Sequence, residues 1–293
     1  MMGARIVAVL AVIFPFAFAA SSAAAAGAWV DFTSAGKQPT PFQIKQAKAQ
    51  GKESKVEPGI PLRALLVRPD GVGPFPAVVL LHGCDGLRPF QQTWADTIAK
   101  LGYVALLVDS FGSRGITETC SKVDMSEPEL VNDAFGALAY LRGQPFVVSD
   151  RVGVMGWGLG GEAAMSAVDD GGQAQLFPQD RFRASIALYA GIAGQAKFIA
   201  PVLLMLAAED DWTPLARTEA YVKASEPSSQ PITLRVYPTL AGFDDPDRGT
   251  RFYLANAYNP QSASGKGATF GYDATSAADA RQQVQDFFSK YLK

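Results

Sequence analysis

From residue 62 onward, short apolar runs alternate with stretches of helical spacing. Strands are expected at 62–67, 77–81, 103–108, 152–155, 184–189, 202–206 and 232–237. Residues 77–81 are apolar throughout, the pattern of a parallel strand covered on both faces, and 62–67 ends at the turn signal Arg68-Pro69-Asp70-Gly71. Between the strands, helices are expected at 91–101, closed by Gly102, at 129–141, at 161–168, near 215–224, and last at 277–292. The 129–141 segment places Leu130, Ala134, Ala137, Leu138 and Leu141 on one helical stripe. Strands and helices alternating at this spacing imply a mostly parallel central sheet with helices on both faces. Ligands of such sheets bind at the carboxyl ends of the strands. The loops after Leu81, Val108, Met155, Leu206 and Tyr237 are therefore where chemistry is expected.

Upstream the pattern is weaker. Residues 29–33 alternate as an edge strand would, and 36–59 turn to Lys, Gln, Pro and Gly without sustained period, which reads as an exposed connection with room for a short helix at 42–49. At the start, Arg5 precedes an apolar core over 6–20 and then small residues with an A-x-A site at 24–26. This is the layout of a secretory signal peptide cut before Gly27, and its core is shorter than the ~20 residues a membrane span needs. The expected organisation is a signal peptide at 1–26, an N-terminal strand and variable, flexible segment at 27–60, and one α/β domain at 61–293. Export to the periplasm or the extracellular space follows from it, with no membrane span after signal removal.

Composition narrows the partners. Lys and Arg number 26 against 28 Asp and Glu, with no basic run, so nucleic acid is not an expected partner. The two cysteines, Cys84 and Cys120, permit one disulfide in an exported protein, a pairing that the spacing alone does not decide. No residue pattern calls for a cofactor or a metal.

The 151–161 stretch, RVGVMGWGLGG, runs from an apolar strand through a Gly-rich turn into a helix. That is the layout of a nucleophile elbow, G-x-S-x-G, with Gly156 and Gly160 at the flanks and Gly158 where the attacking residue belongs. The loop His82-Gly83-Cys84-Asp85-Gly86 stands where such folds supply one oxyanion-hole amide, from Cys84 or Asp85, with Leu159 giving the other. Taken with GYVALLVDSFGSRG, EDDWTP and VYPTLAGFD, these strings resemble the dienelactone hydrolase family of α/β-hydrolases from about residue 61 to the C-terminus.

The resemblance implies an α/β-hydrolase fold and hydrolysis of an ester or lactone by a Ser or Cys nucleophile with His and Asp. The family's acid falls on Asp210, four residues before Pro214, with Asp211 as the neighbouring alternative. Its histidine position, before Gly242 and Phe243, is Ala241. The chain's single histidine is His82, expected to brace the loop it begins. A relay needs an imidazole between acid and nucleophile, so the expectation is a degenerate site that keeps a cleft for a small molecule (an ester, a lactone or a carboxylate) or for a partner protein. The alternative is an active hydrolase working through Cys84 or an Asp210-activated water. The cleft is expected to be aromatic, with Phe111, Trp157, Trp212 and Phe243 in the motif loops beside His82 and Asp85, and Arg114 either facing an anionic ligand or paired with an acid such as Asp109.

Overall fold

A computed structural model of the chain describes residues 27–122, 127–191, 194–225 and 229–293. The signal-peptide segment expected at 1–26 lies outside the described residues. The strands are β1 (Ala28–Thr33), β2 (Pro61–Val67), β3 (Phe75–Leu81), β4 (Val104–Asp109), β5 (Val147–Trp157), β6 (Ser185–Leu188), β7 (Val202–Ala207) and β8 (Ile232–Tyr237). They form one eight-stranded sheet in the order β1-β2-β4-β3-β5-β6-β7-β8. β1 and β2 run antiparallel to their neighbours and the rest are parallel. The N-terminal strand therefore belongs to the same sheet as the rest of the chain.

The apolar runs are explained by two-sided burial. β4, β6 and β7 are buried along their whole length, whereas the edge strand β8 buries few of its side chains. Along β3, Val79 and Leu81 point into one core and Val78 and Leu80 into the other. The first core is closed by α3 (Glu127–Arg142) and α4 (Leu159–Ser166), with Tyr221 of α5 (Leu215–Ser225). The second is closed by α2 (Pro89–Lys100) and α6 (Ala274–Leu292), through Trp94, Ile98, Val284 and Phe288.

The 36–59 connection contains α1 (Pro41–Ala49), started by a capping box in which Thr40 and Gln43 satisfy each other's backbone amides. One element escaped the sequence pattern: a hairpin of β9 (Phe252–Tyr258) and β10 (Lys266–Phe270), which forms its own two-stranded sheet. Its anchors include two from neighbouring loops. Asp211 accepts from Thr269 N at 2.9 Å and Thr269 Oγ1 at 2.6 Å, and Tyr258 N donates to Cys120 O at 2.7 Å.

Candidate functional site

Gly158 joins β5 to α4 with φ 50° and ψ −117°, a backbone that L side chains rarely adopt. Close approach dictates the flanking glycines: a Cβ on Gly156 would lie 2.1 Å from Gly160 O, and one on Gly160 would lie 2.2 Å from Leu81 O. At Gly158 itself a Cβ would meet nothing within 4 Å. The turn thus keeps the strained geometry and the open space of a nucleophile position, with no side chain to fill it. Leu159 N opens α4 and has no intrahelical acceptor, so the amide expected in an oxyanion hole is unspent.

Gly158, Cys84, Leu159, Asp210 and Ala241 all line one cavity of about 470 Å³. Its aromatic wall is Phe90, Trp157, Tyr189, Trp212, Tyr258 and Phe270. Behind that wall Asp244, 1% exposed, accepts from Trp94 Nε1 and Trp157 Nε1, each at 2.8 Å, and from Tyr189 OH at 2.9 Å. One buried carboxyl therefore fixes two of the wall's rings. At the rim, Arg248 pairs with Asp85 and, at 3.1 Å, with Asp245, which also takes Arg88 Nε at 2.9 Å. The cations here are matched by acids.

Asp210 is closed upon its own loop. Oδ1 accepts from Trp212 N and Thr213 N, both at 2.8 Å, and Oδ2 accepts from Thr213 Oγ1. Burial raises its pKa in spite of these donors. Asp211, the alternative acid, is spent on Thr269.

A second acid group has no counterpart in the sequence expectations. Glu162, on the first turn of α4, lines the cavity together with Glu127, the first residue of α3. Glu162 Oε1 accepts from Gly191 N at 3.1 Å. Burial, and then the charge of Glu127, push its pKa up to about 7. Burial raises the pKa of Glu127 as well, against the lowering effect of nearby Ser166, and its Oε1 has no partner. A Cβ on Gly191 would meet Glu162 Oε1 at 2.8 Å and Thr213 Cγ2 at 2.9 Å, which places the Glu162 carboxyl against the Asp210 loop.

Cys84 and Cys120 form a disulfide with Cα atoms 4.9 Å apart. Thr119 N reinforces the link by donating to Cys84 O at 2.7 Å.

Residues 62–292 match the dienelactone hydrolase family. The chain belongs to the dienelactone hydrolase family. A Bradyrhizobium relative named as a probable 2-oxo-3-(5-oxofuran-2-ylidene)propanoate lactonase is 24% identical over 195 residues, covering 59% of this chain and 75% of its own. Among solved structures, a dienelactone hydrolase-like promiscuous phosphotriesterase from metagenomic libraries superposes with a TM-score of 0.64 at 17% identity, covering 92% of this chain and 100% of the other. The Anabaena variabilis dienelactone hydrolase gives 0.52 at 18% identity, over 80% and 94%. At these identities the superpositions show the fold, a mostly parallel α/β-hydrolase sheet.

Against that family frame, several expected pocket residues lie elsewhere. His82 is fully buried behind the cavity wall: Nδ1 bonds Gly83 O at 2.8 Å and Nε2 accepts from Ser110 N at 3.2 Å, while burial lowers its pKa. Phe111 packs edge-on against it with centroids 4.4 Å apart and does not reach the cavity. Phe243 is fully buried against Tyr189 and Tyr237. Arg114 faces no ligand space; it grips Asp133 with two bonds of 2.8 Å, and the acid it pairs with is not Asp109, which takes Arg63. Asp85, Trp157 and Trp212 do line the cavity. What the sequence pattern missed is the carboxyl pair, although Glu162 stands one helical turn from Gly158 and thus on its face of α4.

Proposed function

We propose that this chain is an exported, catalytically silent member of the family that binds a small molecule in the cavity at its elbow. The observation that carries this reading is that Gly158, Asp210 and Ala241 line one open cavity, while the chain's single histidine is buried with both ring nitrogens engaged. Acyl transfer by a triad needs a nucleophile and an imidazole beside it, and neither stands at these positions. The leader pattern at 1–26 and the disulfide both suit an oxidising compartment outside the cytosol.

The alternative, an active ester or lactone hydrolase, is the less favoured reading. Its thiolate route is closed by the disulfide, since a bonded Cys84 sulfur is not a nucleophile. Its Asp210 route would need a carboxylate with acceptor capacity aimed at water, and Asp210 already takes three donors.

The test is an assay against short acyl esters and lactones. The parent chain is expected to show no turnover above buffer; turnover that a cavity-filling Ala241→Trp variant abolishes would overturn the reading. The double variant Gly158→Ser, Ala241→His is expected to gain roughly 10²-fold or more over the parent, because general-base assistance alone contributes on that order. Its melting temperature reports whether a silent double variant is folded. A folded, silent double variant would mean that more than two side chains have been lost from the site.

A further inference from the structure

This inference rests on the binding-cleft reading above and concerns what the cleft accepts. The charges of the cavity wall fall into two groups. Asp85 and Asp245 are matched by Arg88 and Arg248, and Asp210 takes three donors from its own loop. Glu127 and Glu162 face no such partner in the ion pairs among the described residues. Arg217, across the adjoining groove from Glu162, is exposed. The unspent charge of the cavity is therefore acidic.

Two further side chains mark the cavity as built to receive polar groups. Gln91, fully buried, has Nε2 without a partner, and Thr119, 6% exposed, has Oγ1 without one; both line the cavity. Buried polar atoms left unpaired are rare in folded proteins and destabilising unless a ligand or water meets them. Around them stands the aromatic wall, where Trp212 and Tyr258 are surfaces that attract a cation as well as apolar carbon, while the Phe270 ring already lies under Arg248 at 4.4 Å.

The geometry points to a ligand carrying a protonated amine, an organic cation whose ammonium lies at the Glu127–Glu162 pair and whose carbon body rests on the aromatic wall. An ammonium has three donors and would meet the Glu162 carboxyl beside Glu127, relieving the repulsion between the two acids. A carboxylate, by contrast, would enter a cavity whose arginine is already held by two acids. The carboxylate ligand expected from the sequence, and a substrate of the kind in the Bradyrhizobium relative's name, are disfavoured on the same ground. A metal ion is a poorer fit as well, since among the described residues no three His, Cys, Asp or Glu side chains are grouped to hold one.

Titration calorimetry of the oxidised full chain at pH 8, where Glu162 is ionised, tests this with matched probes: 2-phenylethylammonium, 3-phenylpropionate, 3-phenylpropanol and calcium chloride. The ammonium is expected to bind at least about tenfold more tightly than the carboxylate, with Glu162→Gln and Glu127→Gln each weakening it about tenfold and leaving the alcohol unchanged, as a lost charge-assisted bond would. Carboxylate binding that equals or exceeds the ammonium overturns the inference and leaves the binding-cleft reading standing. So does calcium binding that both variants abolish, or ammonium binding that neither folded variant changes. If no probe binds, the inference fails; ester turnover by the same preparation would then show that the cleft reading has failed with it.

Discussion

Asp210 and Glu162 both lie near Thr213, both line the cavity, and both have carboxyl pKa values raised first by burial. Their surroundings differ in the supply of donors. Asp210 receives two amides and a hydroxyl, enough to make it the keystone of the loop after β7. Glu162 receives the single amide of Gly191 and faces a second carboxyl. The acid at the position the family motif marks is tied into its own loop, and the acid that no motif marks is the one left open. A residue's place in a family motif and its freedom to do chemistry are separate properties.

That contrast can be broken first at Asp210. Asp210→Ala leaves Trp212 N, Thr213 N and Thr213 Oγ1 without their acceptor and is expected to lower unfolding free energy by about 3 kcal/mol in urea titration. A loss below about 1 kcal/mol would mean that the loop finds other acceptors and that Asp210 is not a keystone.

The pH dependence of stability sharpens the other side. The folded pKa of Glu162 is about 7 against the usual 4.5, so between those values the folded chain holds a proton that the unfolded chain has released. Stability contributed by this group is therefore present below pH 4.5 and lost as pH rises toward 7, by up to about 3 kcal/mol. Glu127, Asp133, Asp210 and Asp244, all with raised pKa values, push in the same direction. Glu162→Gln should flatten only its own share; a melting-temperature profile over pH 4 to 8 identical to the parent's would place Glu162 in open solvent. The smallest effect is expected from Asp210→Asn, which retains one acceptor oxygen and should lose about 1 kcal/mol.

The sheet was legible because its chemistry is repetitive. Runs such as Val104–Asp109 have no polar position until their last residue, which only a two-sided core explains. The elbow was legible because its flanking glycines answer to backbone contacts closer than any side chain allows. The β9–β10 hairpin was not, because Phe252–Tyr258 mixes exposed aromatics with no alternation toward a core. Nor did sequence give direction within a loop: Trp212 and Phe243 stand in equivalent motif loops, yet one lines the cavity and the other is sealed beneath Tyr189. The carboxyl pair stayed hidden for a different reason. An acid in the first turn of a helix, the place of both Glu127 and Glu162, is ordinarily read as a partner of the helix dipole. Only the packing of α3 on α4 reveals that the two face each other.

The Cys84–Cys120 bond joins more than two cysteines. Cys84 lines the cavity, Cys120 O receives Tyr258 N from the hairpin, and Thr119 beside it bears an unpaired hydroxyl. The front of the cavity is thus three loops held by one covalent link and isolated hydrogen bonds, while the sheet behind it owes nothing to that link. A thiol reductant would consequently behave toward this protein as an effector: it would leave the sheet and its helices standing, slacken the mouth, and register in a titration as a ligand that binds weakly.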